Sequence, residues 1–302
     1  MKKYLITIVG PTAIGKTTLA IQLARHFGTE IISADSRQFY RELTIGTAKP
    51  SSEELLQVKH HFINSHSINE EFNVGSFEQK GLVLLEQIFG KANIAVLVGG
   101  SGLYINAITE GFDSFPMVDP HIREKLNTNF QTEGIQTLQS LLKELDPVYY
   151  QQVDINNPQR IIRALEVCIG TGDTYSSLRK SLRKQRPFHI LKIGLNTNRE
   201  LLYKRINARV NQMIHEGLLE EVKGLHAYKT FNSLQTVGYS EIFDFLDNKL
   251  TFEQAIEKIK QNTRRYAKRQ LTWFRKDPEI QWFEPTDTKN IIEYVNQQIQ
   301  KG

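Results

Sequence analysis

The chain has 302 residues, of which 40% are hydrophobic and 24% charged, and its net charge is +5. This length allows one large domain with an insertion or two domains, and the composition is ordinary for a soluble globular protein. The single cysteine, Cys168, excludes an intramolecular disulfide and a multi-cysteine zinc site, and it favours a reducing cytoplasm. No apolar run approaches the roughly 18 residues that span a membrane, so we expect a cytoplasmic protein with no membrane partner.

The charge is divided unevenly along the chain. Residues 1–175 contain 15 Lys and Arg against 19 Asp and Glu, a net of −4, whereas residues 176–302 contain 23 against 14, a net of +9. An even distribution would not produce this difference. We therefore predict that a polyanionic partner binds the second part of the chain.

The first motif is a strand, a glycine loop and a helix in immediate succession. An apolar run, Leu5–Val9, precedes G-x-x-x-x-G-K-T, and a helical pattern, Leu19–His26, follows it. This is the context that a phosphate-binding P-loop requires, and the motif is shared with ATP-binding proteins. The residues of the predicted loop are Gly10, Pro11, Thr12, Ala13, Ile14, Gly15, Lys16 and Thr17. We predict that a phosphate or diphosphate binds here.

The chemistry of this loop follows from four of its residues. Gly10 and Gly15 let the backbone wrap around an anion, so that successive N–H groups point inward. The helix N-terminus adds partial positive charge. Lys16 can reach the outer phosphate, and the Thr17 hydroxyl can hold Mg²⁺.

A carboxylate follows the second predicted strand, Glu30–Ser33. Asp35 would lie at the carboxyl end of that strand, beside the P-loop, where open α/β sheets bind their ligands. This position suits a general base or a ligand of Mg²⁺ through water. The alternative is an aspartate that only caps the next turn.

A third strand, Ile94–Val98, ends in the glycine-rich segment Gly99–Tyr104. The comparable strand of P-loop ATPases usually carries an acid, and its absence here counts against a motor or switch NTPase. The segment suits a loop whose backbone closely approaches a ligand, with Ser101 as a hydroxyl donor, or alternatively a tight turn that starts a helix. Earlier in the chain, His60 and His61 are adjacent and lack further ligands at metal-binding spacing, which favours a structural role over a metal site.

Later in the chain, two predicted helices carry pairs of arginines. Residues 121–130, 135–145 and 158–169 are predicted helices. Arg160 and Arg163 lie three apart on the last of them, on roughly one face, and by themselves two such arginines favour a solvated face. After a return strand, His189–Leu195, the predicted helix 199–213 carries Arg205 and Arg209 at i, i+4, which suits neutralisation of a phosphate or, alternatively, a solvated face.

The segment Thr263–Lys276 is predicted as the last helix, with a frayed tail after Asn296. It interleaves six basic residues with Tyr266, Trp273 and Phe274. Basic residues contact phosphates and aromatic rings stack on unpaired bases, which predicts an RNA-binding helix. The alternative places the aromatic rings in the core and the charges in solvent.

Together these motifs resemble one known family. They are GPTAIGKT, DSRQFY with IGTAKP, HHF, GGSGLY, NPQRIIRALEV, RINARVNQM, GYSE and TRRYAKRQLTWFR. In this order, from residue 10 to residue 275, the chain is similar to the bacterial tRNA dimethylallyltransferases, isopentenyltransferases that act on the adenosine next to the anticodon. Ser101 stands where the family usually has threonine and keeps the hydroxyl, and HHF stands for the usual HHL.

The resemblance implies an α/β fold, a P-loop NTPase-like parallel sheet flanked by helices, with an inserted all-helical domain. On this basis residues 1–115 and 187–302 are predicted as the catalytic core and residues 116–186 as an insertion that contacts tRNA. The implied substrates are dimethylallyl diphosphate and the anticodon stem-loop of tRNA, and the implied cofactor is Mg²⁺, held by Thr17. We expect a monomer that needs no obligate protein partner.

The resemblance also implies roles for individual residues. Asp35 would accept the N6 proton, Lys16 and Arg209 would neutralise the diphosphate, and Ser101 would bond a phosphate oxygen. The implied tRNA contacts are Asp35, Ser36, Arg37, Gln38, Ser101, Arg123, Gln159, Arg160, Ile161, Ile162 and Arg163. From their charge alone we add Arg265 and Arg269.

Three other functions share part of this pattern. A small-molecule or nucleoside kinase would use the P-loop and Asp35, but it leaves the GGSGLY segment and the basic C-terminal helix unexplained. An enzyme that prenylates free AMP, ADP or ATP would not need the positive second half. A non-catalytic RNA-binding protein would have no reason to retain Lys16, Thr17 and Asp35 together.

Overall fold

A fully parallel sheet carries the glycine loop at its centre. The computed structural model describes residues 2–113, 115–179 and 183–301. The strands within them are β1 Tyr4–Val9, β2 Ile31–Ser33, β3 His60–His61, β4 Ile94–Val98, β5 His189–Leu195 and β6 Gln281–Phe283. Their order across the sheet is β3-β2-β4-β1-β5-β6. Because β1 pairs with both β4 and β5, the loop that follows it opens at the middle of the carboxyl edge.

Helices connect and cover these strands. Those of the sheet-containing unit are α1 Lys16–His26, α2 Ser52–Gln57, α3 Val74–Phe89, α4 Gly102–Thr109, α10 Arg199–His215, α11 Leu218–Gly224, α12 Ser240–Leu246, α13 Phe252–Phe274 and α14 Thr288–Lys301. A second group comprises α5 Pro120–Glu133, α6 Ile135–Leu145, α7 Pro147–Gln152, α8 Pro158–Thr171 and α9 Tyr175–Leu178. Contacts divide the chain into a unit of residues 1–109 with 185–302 and a unit of residues 110–184.

Alternating side chains of β1 enter two different cores. Ile6 and Ile8 pack with α1, α10 and α14 on one face of the sheet, while Leu5 and Val9 pack with α3 and α4 on the other. Strands buried on both faces read as continuous apolar runs, which is why β1, β4 and β5 were visible in the sequence. The predicted α/β fold with helices on both faces of a parallel sheet is confirmed.

The prediction for the C-terminal region was wrong in three respects. The basic segment forms only the second half of α13, which already begins at Phe252 behind a Thr251 capping box. It is not the last helix, because β6 and α14 follow it. The tail does not fray after Asn296, since Ile291 and Val295 are buried in the core of the sheet and the Ile299 carbonyl accepts a hydrogen bond from the Tyr4 hydroxyl.

The unit of residues 110–184 is built from helices around its own small core. Leu126, Leu138, Leu142, Ile161 and Leu165 form the centre of that core. All of its helices except α6 start at capping side chains, for example Asp119 before α5 and Asn157 before α8. In the described part of the chain, no helix combines the length and the apolar character needed to cross a bilayer.

Candidate active site

A cleft lies at the carboxyl ends of β1, β2 and β4, where parallel sheets of this kind bind their ligands. Its volume is about 160 Å³. The P-loop lines one side, and the loops that begin at Ser33 and at Val98 line another. Lys16, Asp35 and Arg209 all line this cleft.

The P-loop has the backbone geometry of an anion cradle. Gly10 and Gly15 have φ angles of 146° and 103°, in the region that favours glycine. A side chain on Gly10 would also come within 2.6 Å of the Leu195 carbonyl oxygen on β5. No side chain caps the start of α1, so its first N–H groups remain available to a ligand.

Lys16 folds back over the loop that holds it. Its Nζ donates hydrogen bonds to the carbonyl oxygens of Gly10 at 3.0 Å and Pro11 at 2.8 Å. Burial lowers the pKa of Lys16 to about 7, the negative charge of Asp35 opposes this shift, and the positive charge of Arg209 adds to it. The ammonium group is therefore poised between its charged and neutral forms near neutral pH.

Two arginines on α10 face this loop in different ways. Arg205 Nη1 donates to the Ile14 carbonyl oxygen at 3.3 Å and so holds the P-loop backbone. Arg209 lines the cleft itself. Removal from bulk water lowers the pKa of Arg209 and the charge of Asp35 opposes this, but a guanidinium stays protonated in proteins. Arg209 therefore supplies a fixed positive charge to the cleft.

Asp35 faces the P-loop across the cleft. Its Oδ1 accepts a hydrogen bond from the Arg37 backbone N–H at 3.0 Å, so the turn-capping role is real. Among the described residues, no hydrogen bond engages the second oxygen, Oδ2. One carboxylate oxygen thus fixes the turn while the other is free to accept a proton. A turn-capping role and a role as general base are therefore compatible for Asp35.

The Ser101 hydroxyl ties its glycine loop to the Asp35 turn. It accepts a hydrogen bond from the Ser36 backbone N–H at 3.1 Å and donates to the Ser36 hydroxyl at 3.3 Å. Tyr266, from α13, lies against the same group. Burial raises the pKa of Tyr266, Asp35 raises it further, and the hydrogen bond with Ser101 opposes both. Tyr266 is therefore a neutral phenol that lines the same cleft as Asp35.

A glutamine from the same helix joins two sides of the cleft. Gln270 is only 5% exposed. Its Oε1 accepts from the Thr12 backbone N–H at 2.8 Å, and its Nε2 donates to the Gly100 carbonyl oxygen at 2.9 Å. Helix α13 thus contributes Tyr266 and Gln270, one turn apart, to the cleft.

A half-buried carboxylate, Glu221, fixes the loop of residues 44–50, which lines another part of the cleft. The Glu221 carboxylate accepts hydrogen bonds from the backbone N–H groups of Thr44, Ile45 and Gly46 and from the Tyr239 hydroxyl. Carbonyl oxygens of the same loop accept in turn from Gln38 Nε2. The loop and the Asp35 turn are thereby held in one hydrogen-bonded network.

A family model described as IPP transferase matches residues 38–277. The chain belongs to the IPP transferase family. A "tRNA dimethylallyltransferase" of Christiangramia forsetii is 55% identical, with 99% of both chains covered, and one of Flavobacterium johnsoniae is 51% identical, with 97% of both covered.

Solved structures of the IPP transferase family share the fold. The tRNA isopentenylpyrophosphate transferase of Bacillus halodurans is 38% identical with a TM-score of 0.74, covering 99% of this chain and 98% of that one. A eukaryotic dimethylallyltransferase, solved acting on tRNA, is 28% identical with a TM-score of 0.80, covering 99% and 80%. The family assignment made from the motifs is confirmed.

The predicted RNA-binding residues of the helical unit divide into exposed and buried groups. Gln159 and Arg160 are exposed on the first turn of α8, whereas Ile161 and Ile162 are buried in that unit's core. Any RNA contact at the isoleucines would thus come from their backbone. The other predicted residues, Arg123 and Arg163, both donate at 3.1 Å to the largely buried Glu166 carboxylate.

The predicted RNA-binding arginines of α13 lie outside the cleft. Arg265 and Arg269 are both exposed. Arg265 donates to Asn262, and the Arg269 guanidinium lies 5.8 Å from the centre of the Tyr266 ring. Of the three aromatic residues, Phe274 is buried, Tyr266 borders the cleft and Trp273 is 40% exposed. Part of the segment therefore belongs to the core and part remains available to a partner.

The adjacent histidines make separate protein contacts. His60 Nδ1 bonds the Val58 carbonyl oxygen at 2.8 Å, and His61 Nε2 bonds Glu30 at 2.5 Å. The described residues contain no group of three or more His, Cys, Asp or Glu placed to hold a metal ion. These contacts agree with the structural role preferred for the pair.

Sequence reasoning missed Gln270 and Glu221, and it gave Tyr266 a role in base stacking without placing it at the cleft. The partners of Gln270 lie 258 and 170 residues away in the sequence, and no local sequence pattern predicts a contact across such a separation. One signal was available, because Gln270 is a polar residue in the same stripe of α13 as the buried Ala267 and Phe274. A lone glutamine among core positions indicates a buried hydrogen-bond partner.

Proposed function

We propose that this protein transfers the dimethylallyl group of dimethylallyl diphosphate to N6 of an adenosine next to the tRNA anticodon, position 37, and releases diphosphate. The proposal rests on one observation. This chain belongs to the IPP transferase family, and in its cleft the P-loop faces the Asp35 carboxylate. Lys16 and Arg209 are placed for an anionic leaving group, and Asp35 is placed for a proton. The names of the relatives support the same reaction.

The reaction needs two kinds of assistance, and the cleft contains both. The adenine N6 is a weak nucleophile because its lone pair is delocalised into the ring, so Asp35 would take its proton as the bond from N6 to C1 of the dimethylallyl group forms. The bond from C1 to the diphosphate oxygen breaks with its electron pair. The developing charge would be met by Lys16, Arg209 and the N–H groups of the P-loop.

Magnesium fits the oxygen groups at this site. Mg²⁺ is usually held by one or two protein oxygens together with substrate phosphates and water, which agrees with the lack of a cluster of protein ligands among the described residues. The Thr17 hydroxyl would hold the ion, and Asp35 reaches the same cleft. When bound, the ion would neutralise charge on the diphosphate.

The tRNA partner would use basic and polar residues of both units that are exposed or half-exposed, each for phosphate contacts. Candidates are Arg123, Gln159, Arg160 and Arg163 in the helical unit, and Arg265 and Arg269 on α13. Around the cleft, the turn Asp35–Gln38 and Ser101 would contact the target nucleotide. That base has to leave its stack to reach an enclosed site. We further propose that the enzyme acts as a cytoplasmic monomer.

The direct test is transfer of label. Purified protein with Mg²⁺ would be incubated with radiolabelled dimethylallyl diphosphate and either unmodified tRNA or AMP. Label in tRNA alone, mapped by nuclease digestion to the adenosine next to the anticodon, is the expected result. Label in AMP would instead indicate a nucleotide prenyltransferase. No label, with consumption of added ATP, would indicate a kinase.

The lowered pKa of Lys16 predicts that diphosphate binding takes up a proton. The free ammonium loses its proton above pH 7, and a bound diphosphate would restore it. The protonated fraction of a group with a pKa of about 7 falls roughly fivefold from pH 7 to pH 8. Pyrophosphate affinity should therefore weaken by about the same factor over this range. Calorimetry in buffers of different ionisation enthalpy measures the proton uptake.

The matched control for this titration is Lys16→Met. Pyrophosphate itself titrates in the same range, but it does so equally with both proteins. The proton uptake that belongs to Lys16 is thus the difference between wild type and variant. An identical pH dependence in both would contradict the assignment.

The double variant Arg265→Ala/Arg269→Ala should weaken tRNA binding and flatten its salt dependence. Each lost phosphate contact reduces the slope of log affinity against log salt by about 0.7–0.9. Filter binding of tRNA at several salt concentrations measures this slope. The control is Lys2→Ala/Lys91→Ala, which removes the same charge from exposed positions at the amino ends of β1 and β4. Equal slopes for the two double variants would remove α13 from the RNA interface.

A further inference from the structure

Two loops of the cleft are separated by one buried side chain. The P-loop holds the residues proposed to bind diphosphate. The loop after β4 carries Gly100 and Ser101, and Ser101 fixes the turn of Asp35 through its bond to Ser36. Gln270 bonds the first loop at Thr12 and the second at Gly100, with one hydrogen bond to each.

The neutral Gln270 amide makes both bonds at once, one as acceptor and one as donor. The carbonyl oxygen of Gly100 requires a donor, and the N–H of Thr12 requires an acceptor. The Gln270 amide supplies both groups from a single rigid plane. Because the side chain is 5% exposed, water does not replace either bond freely.

We propose that Gln270 is a positioning residue that sets the distance between the diphosphate-binding loop and the loop that supports the proton acceptor. The inference rests on the proposed function of the cleft. Gln270 acts through Thr12 and Gly100 and takes no part in bond making. Helix α13 thereby fixes the P-loop, which binds the prenyl donor, relative to the loop that supports Asp35. Its exposed basic face remains available to RNA.

Gly100 provides an independent test of this contact. A Cβ on Gly100 would collide with Gln270 Nε2, and the next nearest group beyond Gln270 is Lys16 Nζ at 3.8 Å, an ordinary contact. The φ angle of Gly100 is not in the left-handed region, so alanine is compatible with its backbone. The harm done by Gly100→Ala should thus come from displacement of the Gln270 amide.

The experiment is a double-mutant cycle with Gly100→Ala, Gln270→Ala and the combination of both. The readouts are kcat for transfer to tRNA and the affinity for inorganic pyrophosphate with Mg²⁺. Loss of the two hydrogen bonds corresponds to a loss of about 10-fold or more in each readout for either single variant. Because both changes remove the same two bonds, the combination should be no worse than Gln270→Ala alone.

Gln261→Ala is the matched control, since it makes the same substitution at an exposed position of α13. It should leave kcat and pyrophosphate affinity at wild-type values. Thermal melting of every variant separates lost positioning from lost folding, and measurements are made well below the lowest melting temperature. Wild-type transfer to tRNA in the same assay shows separately whether the proposed function holds.

Two results would overturn the inference. If the loss in the combined variant equals the product of the losses in the two single variants, Gly100 and Gln270 act independently. Wild-type kcat and pyrophosphate affinity in folded Gln270→Ala would mean that the loops keep their distance without the amide. Loss in both readouts, absent from Gln261→Ala and not increased by Gly100→Ala, would establish Gln270 as the positioning residue.

Discussion

Replacement of Asp35 by Asn should lower kcat by roughly 10²–10⁴-fold, the range expected for loss of a general base. The amide oxygen can still accept the hydrogen bond from the Arg37 backbone N–H that Asp35 Oδ1 accepts at 3.0 Å, so the turn is preserved. The amide cannot take the N6 proton. Single-turnover transfer of labelled dimethylallyl groups to saturating tRNA measures the chemical step.

Asp35→Ala is the companion variant, because it removes the turn contact together with the proton acceptor. The two variants should have similarly low turnover, and binding of tRNA should fall far less than the rate. If Asp35→Asn lost tRNA affinity and rate by the same factor, Asp35 would position the base without accepting its proton.

Lys16→Met should lower kcat by about 10²–10³-fold, as does removal of a donor that stabilises developing negative charge. The methionine side chain is similar in length and cannot neutralise diphosphate. Arg209 and the P-loop N–H groups remain, so a measurable rate should persist. The measurement is steady-state transfer to tRNA with saturating dimethylallyl diphosphate, which separates this loss from weaker donor binding.

Lys49→Met is the matched control, since Lys49 also lines the cleft. Its Nζ is committed to Asn64 Oδ1 at 2.6 Å and to the Tyr40 carbonyl oxygen. Burial lowers the pKa of Lys49 to about 8, and Glu221 and Glu42 oppose this shift. A much smaller loss of kcat is expected. Equal losses would show that the general positive potential of the cleft matters and that the placement of Lys16 does not.

The central strands were predictable because local physics determines them. β4 and β5 were predicted to the residue, since their apolar runs agree with the faces that they bury. The P-loop was recognisable for a similar reason. Its glycines, lysine and threonine occupy consecutive positions that one turn of backbone brings together.

The rest of the cleft depends on contacts between distant parts of the chain. Gln270 reaches Thr12, and Glu221 reaches Thr44–Gly46, across separations of 258 and about 175 residues. Such pairs follow from tertiary packing, and no propensity encodes them. The short edge strand β6 was missed because three residues carry too little alternation to stand out.

The position of β1 at the centre of the sheet has a consequence for synthesis of the chain. Its two neighbours, β4 and β5, emerge about 85 and 180 residues after it, and the Gln270 amide that fixes the P-loop emerges later still. The helices of residues 110–184 make mostly local contacts, which form quickly, whereas distant strand pairings close slowly. On the ribosome, the whole helical unit is therefore translated before β5 and Gln270, so the first motif to be translated is among the last whose partners are all present.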